Sequence, residues 1–110
     1  MKGEEKRDLL YVGDLVNFVS KAINYQKNNY ELVNVGLGKA ISIKNLVKLI
    51  INLSGKKLTI RHDLTQPTIP TYLALNISKA NKVFKWRPNT TLEDGIIKSI
   101  NWWNKNHKTK

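Results

Sequence analysis

Three features of this sequence have the residue types to meet an anionic or polar ligand: Arg7, Gln66 and the Gly36-Leu37-Gly38 turn. Arg7 is one of only three arginines, and its planar fork can hold two oxygens of a diphosphate at once. On composition alone, an arginine this near a terminus is more often a surface side chain. Gln66 is stiffened by Pro67 and can hydrogen-bond a ligand or simply face water. The Gly36-Leu37-Gly38 turn follows strand-like sequence and precedes helix-like sequence, as a dinucleotide loop does. Its third glycine is replaced by Ile41, and no acidic residue closes a second strand at the required distance, so a turn needing backbone freedom is the better reading. Arg87, between Trp86 and Pro88, reads as structural, laid over the Trp ring.

Other chemistries are disfavoured. The chain has no cysteine, and His62 and His107 lie far apart without a carboxylate cluster, so neither a disulfide framework nor a zinc site is expected. Glu93 and Asp94 sit where a helix begins, and the helix dipole accounts for negative charge there. No P-loop occurs. No apolar run approaches the ~18 residues of a membrane span, and residues 1–8 lack the apolar core of a secretory signal, so a cytoplasmic protein is expected. The net charge of +11 raises nucleic acid as a partner, but sixteen of the nineteen cations are Lys, spread along the chain among thirteen Asn. That pattern is a compositional bias toward Lys and Asn, and a nucleic-acid-binding basic domain is the least favoured function.

The elements that must position Arg7 and Gln66 can be read from periodicity. Residues 1–6 are charged and expected to fray, and residues 105–110 form a basic tail. Residues 9–12 are β-prone, and Asp14 is expected to cap a helix over residues 15–24, with Leu15, Phe18, Val19, Ala22 and Ile23 as its buried stripe. Residues 30–35 read as a strand. Ser42 caps a second helix over residues 43–53, ended by Gly55 in a left-handed turn. Its apolar residues cover an arc of roughly 200°, about twice a minimal core-facing stripe, so it needs cover on more than one side. Leu58 and Ile60 suggest a further strand, and Pro67 and Pro70 stiffen the loop over residues 64–71. Residues 72–76 are expected to be extended. Asn76 or Ser78 caps a short helix with Ala80, Val83 and Phe84 inward. Thr91 then caps a last helix whose apolar line is Leu92, Ile96, Ile100 and Trp103. The expected fold is α/β, a small sheet of short strands covered by about four helices in one domain.

In order and spacing, these pieces resemble the C-terminal portion of the extended short-chain dehydrogenase/reductases, the NAD-dependent epimerase/dehydratases of nucleotide sugars. The resemblance rests on the segment Arg7 to Asp14, on Val33-Asn34-Val35-Gly36 with Ser42-Ile43, on Asn76-Ile77-Ser78-Lys79-Ala80, on Trp86-Arg87-Pro88, and on Thr91 to Ile96 with Trp102-Trp103. The loop Gln66-Pro67-Thr68-Ile69-Pro70 looks most like the GDP-L-fucose synthase branch, where a cation precedes the proline. The resemblance implies that residues 7–104 form a sugar-nucleotide-binding segment, with Arg7 on the diphosphate and Gln66 at the place of a second phosphate-facing group. Gln66 is neutral, which implies weaker phosphate contact.

The same resemblance implies NAD or NADP as cofactor of the full family and none for this chain alone, because its glycine-rich loop and catalytic Tyr-x-x-x-Lys pair have no counterpart here. The residues four after Tyr11, Tyr25, Tyr30 and Tyr72 are Leu15, Asn29, Asn34 and Asn76. A Rossmann half, upstream or on a separate chain, is the implied partner, and an apolar surface on the first or second helix is expected to stand uncovered without it. The alternative is a non-catalytic remnant or stand-alone binding module.

Overall fold

The computed structural model describes residues 2–67 and 69–107. Among the described residues its α/β fold is a two-stranded antiparallel sheet with four helices, without a full Rossmann sheet. In chain order the elements are β1 (Lys6–Arg7), α1 (Val12–Tyr25), β2 (Ile41–Ser42), α2 (Ile43–Ser54), α3 (Ser78–Phe84) and α4 (Leu92–Asn106). Lys6 pairs with Ser42 and Arg7 with Ile41, and Lys6 also bridges in parallel to Tyr72.

Caps and stops behave as their chemistry requires. Ser42 accepts from the Asn45 amide at 3.1 Å, and Gly55 ends α2 at φ 72°, a conformation that costs glycine little. Thr91 accepts from the Asp94 amide at 3.1 Å. Asn76 Oδ1 accepts from the Ser78 amide at 3.0 Å, so it is Asn76 that satisfies the start of α3.

Residues 3–6 are stitched into the fold: Gly3 and Glu5 carbonyls accept from Lys44 and Ile43, and Lys6 exchanges backbone bonds with Thr71 and Leu73. Met1 lies outside the described residues. At the other end α4 runs on through Lys105 and Asn106, and residues 108–110 of the expected tail lie outside the described residues.

Residues 9–12 do not form a strand. α1 begins at Val12 with Tyr11 as its first flanking residue, which moves Asp14 from the cap into the first turn. Asp14 is buried there and bonded to a different part of the chain: its carboxylate accepts from the Asn89 amide at 3.1 Å and the Thr90 amide at 2.9 Å. Its carbonyl accepts from the Trp86 indole N–H at 3.0 Å. The Trp-Arg-Pro stop is therefore locked onto the start of α1. Trp86 and Phe84 are fully buried and meet Phe18 edge-on at 5.6 and 5.4 Å. Among the described residues, the cations placed over rings are Lys6, Lys85 and Lys98, over Tyr72, Tyr25 and Tyr11, and not Arg87 over Trp86.

Residues 30–35 and 58–60 carry no strand ladder. The first of these segments is held instead by side chains: Lys79 donates to the Leu32 carbonyl and forms an ion pair with Glu31 at 2.7 Å. The Lys79 contact, with a second bond from Asn28, holds the Glu31 carboxyl below the usual carboxylate range. Its stabilising effect is present above the ordinary value and fades as pH falls through the lowered one. Val83, expected inward, is exposed; Ala80 and Phe84 form the inner face of α3.

The fold is thin. Its extents are 49 × 36 × 19 Å, and its radius of gyration of 16.9 Å exceeds the ~13 Å of a compact domain this size. Among the described residues only Ala80, Phe84 and Trp86 are buried apolar residues. α1 explains much of this. Of its expected stripe, Phe18 and Ala22 turn toward α3, whereas Leu15, Val19 and Ile23 join Val12 and Val16 on a face between 45% and 77% exposed. Those five positions follow i, i+3, i+4, i+7 and i+11, one continuous helical stripe with nothing packed on it. α2 is better covered, since α4 lies against it, though Ile50 remains exposed.

Candidate anion-binding site

The candidate site is built where β1 leaves the sheet. Arg7 and Glu5 are two residues apart on extended chain and so share one side, which lets the buried Glu5 carboxylate accept from Arg7 Nη2 at 3.0 Å. Arg7 Nη1 donates to the Lys6 carbonyl at 3.1 Å and to Thr71 Oγ1. Three of its five N–H groups are thus used within the protein and two remain, on a guanidinium 36% exposed. A fork fixed on one edge and open on the other is preorganised for an oxyanion, because the entropy of holding it still is already lost on folding. Sequence reading missed Glu5 and Thr71 as positioning residues. The alternation of Glu5 and Arg7 was the available signal for the first, while Thr71 comes from 64 residues away.

Asp8 faces the other way. Its two carboxylate oxygens accept from the amides of Leu37 at 2.7 Å, Gly38 at 2.9 Å and Leu75 at 3.0 Å. The Gly36-Leu37-Gly38 turn is therefore an anion cradle already filled by the chain's own carboxylate. Its close approach needs the glycine: a Cβ on Gly36 would stand 2.9 Å from Asp8 Oδ1 and 2.9 Å from Leu75 Cδ1. With these amides engaged, the turn does not fit the pyrophosphate of a dinucleotide, and no hydride step can be derived from it.

The structure does not group Gln66 with Arg7 in one bonded cluster. Gln66 lies exposed in a tight turn whose amide donates to the Asp63 carbonyl at 3.4 Å, and its side chain bonds the Asp63 carboxylate. Thr65 donates to the same carboxylate through its hydroxyl and its amide, and together these bonds hold Asp63 below the usual carboxylate range. The far end of this loop meets Arg7 through Thr71; Thr68 lies outside the described residues. Among the described residues no group of His, Asp and Glu could hold a metal ion, and no helix is long and apolar enough to cross a membrane.

With this geometry in place the relatives can be compared. No family model matches the chain. A putative UDP-glucose 4-epimerase of Methanocaldococcus jannaschii is 31% identical over 107 residues, which are 97% of this chain and 34% of that protein. The solved UDP-glucose 4-epimerase of Bifidobacterium longum, in complex with NAD+ and UDP, superposes at a TM-score of 0.81 with 26% identity over 93% of this chain and 31% of its own.

At family level its similarity is to NAD-dependent epimerase/dehydratase proteins.

It spans about a third of the length of the curated relatives it resembles. The GDP-L-fucose synthase branch is not distinctly closer: a putative GDP-L-fucose synthase of Arabidopsis thaliana is 30% identical over 94% of this chain and 31% of that protein. The Bifidobacterium longum epimerase was solved with NAD+ and UDP bound, and the described residues of this chain form four helices and a short sheet without a complete Rossmann layer.

Proposed function

We propose that this chain is the nucleotide-sugar-binding segment of an NAD(P)-dependent epimerase, dehydratase or reductase, acting in the cytoplasm with a Rossmann half that supplies cofactor and catalytic residues. The observation that carries this reading is the uncovered stripe Val12, Leu15, Val16, Val19 and Ile23 on α1. Exposed apolar residues scattered singly are ordinary, but a continuous helical stripe of five is a packing surface. A family relationship in which the chain spans about a third of its relatives supports a Rossmann layer as its cover.

In this reading Arg7, held by Glu5 and Thr71, takes two oxygens of the nucleotide diphosphate with its remaining N–H groups, and residues 7–104 form the binding segment. Gln66 is the second ligand-facing group, and its side chain shares that contact with its bond to the Asp63 carboxylate. The Gln66-Pro67 loop supports a GDP-L-fucose synthase-like substrate, so GDP-sugars are expected to bind more tightly than UDP-sugars.

The test is calorimetric titration of the chain with GDP- and UDP-sugars. Arg7→Ala is expected to weaken binding about tenfold to a hundredfold, the worth of one charge-assisted, forked contact. Arg7→Lys retains the charge and the pairing with Glu5 but loses the fork, so it should recover only part of the loss. An unchanged affinity in Arg7→Ala, or no saturable binding to the parent chain, sinks the assignment.

The α1 surface has its own test. Replacing Val16 and Ile23 by Lys should leave the melting temperature nearly unchanged, since both side chains are exposed, with a stability change within ~0.5 kcal/mol each. The same variant should lose co-purification with a supplied Rossmann half of a relative and show less self-association by sedimentation. Undiminished co-purification would remove α1 as the docking face.

A further inference from the structure

On the side of α1 that faces α3, away from the exposed stripe, lies a cleft of about 560 Å³ whose polar lining is Asn17, Lys21, Asn81, Lys85, Arg87 and Asn89. It shares no lining residue with the Arg7 site. Three cations and three amides meet there without a single carboxylate. The ion pairs found among the described residues, Arg7 with Glu5 and Lys79 with Glu31, both lie elsewhere, and the carboxylate that adjoins the lining, that of Asp14, is buried and bonded to the backbone amides of Asn89 and Thr90 rather than to a cation. The side-chain amides of Asn17, Asn81 and Asn89 also have no protein partner among the described residues.

One of these cations sits on strained backbone. Lys85 ends α3 at φ 54°, the only non-glycine residue with positive φ among the described residues, at a position where glycine is the usual occupant. Its carbonyl accepts from Lys21 Nζ at 2.8 Å, which fixes the second ammonium at the cleft and leaves two of its N–H groups to point elsewhere. Lys85 Nζ lies 5.2 Å from the centre of the Tyr25 ring, and Pro88 restricts Arg87 to extended backbone. Lys21, Lys85 and Arg87 give the lining an excess of positive charge, which an anion carrying several charges offsets as it binds.

We propose that this cleft binds a compact oligophosphate, the di- or triphosphate group of a small molecule, as a second anion site separate from Arg7. The concave shape favours a compact anion over the long stripe of cations that tracks a nucleic-acid backbone.

The experiment is calorimetric titration of the whole chain with sodium tripolyphosphate and, in parallel, with ATP. The variant pair is Lys85→Gly with Arg87→Gln, and the control pair is Lys48→Gln with Lys57→Gln, which removes the same charge outside the cleft. Saturable binding weakened about tenfold or more by the first pair and little changed by the second is the expected result. Lys85→Gly alone should also weaken binding while keeping or raising the melting temperature, because glycine relieves the left-handed backbone; a merely structural Lys85 would not separate the two readouts. Tighter binding of ATP than of tripolyphosphate supports a nucleotide as the source, and equal binding supports an inorganic one. The proposal is overturned if the control pair weakens binding as much as the cleft pair, if no saturable binding is seen, or if a DNA duplex binds more tightly through the same residues. Because Arg7 is intact in every variant, equal weakening by the two variant pairs overturns the cleft and leaves the Arg7 assignment standing, whereas no saturable binding at all counts against both.

Discussion

Trp86→Ala is expected to lower unfolding stability by about 3–5 kcal/mol, the cost of removing a fully buried aromatic ring. That is a large share of the ~5–15 kcal/mol available to an ordinary domain, and this chain has a small core to draw on. Trp86 is one of three buried apolar residues among those described, its edge meets Phe18, and Phe18 also meets Phe84. The truncation would open a cavity where α1, α3 and the segment before α4 converge. It would also strip the Asp14 carbonyl of its indole donor at a buried position. Urea unfolding followed by far-ultraviolet circular dichroism measures the loss. Trp86→Phe separates the two contributions, since it keeps most of the ring and loses the N–H; it should cost distinctly less than the alanine variant. A loss below ~1 kcal/mol for Trp86→Ala would mean that the α1–α3 contact is not the chain's core.

This region also shows what the sequence could and could not disclose. Ser42, Thr91, Gly55 and the proline after Trp86 are legible because each satisfies a local requirement: a cap needs an oxygen beside orphan amides, and a stop needs a left-handed residue or a missing N–H. The roles of Asp14 and Asp8 are not local. Each sits where a nearby feature offers a sufficient explanation, a helix start for Asp14 and an Arg neighbour for Asp8, while its actual partners are 29 to 76 residues away. The strand expectations for residues 30–35 and 58–60 failed for a related reason. Alternating apolar residues mark a surface that fits a sheet, but a ladder needs a second strand in register, and β1 and β2 already pair with each other over two residues.

The first helix carries the same lesson toward function. Its apolar residues span two faces, and periodicity alone cannot say which face meets the chain's own core. Phe18 goes to the core with Phe84 and Trp86, and the aliphatic Val12, Leu15, Val16, Val19 and Ile23 are left outside. The wide apolar arc had been legible on the second helix, yet α4 largely covers that one. An open apolar helix face was thus readable from periodicity, whereas which helix carries it required the packing of the aromatic residues. Arg7 stood out by rarity and type, but only the structure shows why its guanidinium would be held still: a buried carboxylate two residues before it and a hydroxyl brought in by the proline-stiffened loop.

Asp8→Asn is the most informative single substitution for the frame around that arginine. One side-chain atom now accepts from Leu37 and another from Gly38 and Leu75. In Asn one of the two becomes an NH2 donor, so at least one backbone amide faces another donor and loses its partner. Losing one charge-assisted bond at about 1.5–3 kcal/mol, with a further ~1–3 kcal/mol where the abandoned amide is shielded from water, gives an expected destabilisation of about 3 kcal/mol. Asp8→Ala removes the acceptor altogether and should cost at least as much. Gly36→Ala probes the same cradle from the other side, because its Cβ would enter the space of the carboxylate and of Leu75; it should destabilise in the same direction and add less than its full effect when combined with Asp8→Ala. Amide hydrogen exchange provides a local readout, with Leu37, Gly38 and Leu75 expected to lose protection ahead of α4 in Asp8→Asn. Asp8 immediately follows Arg7 in the chain, so loosening this cradle should also weaken the nucleotide-sugar binding proposed for Arg7 without touching the guanidinium. Full retention of both stability and exchange protection would show that the three amides are satisfied without the carboxylate.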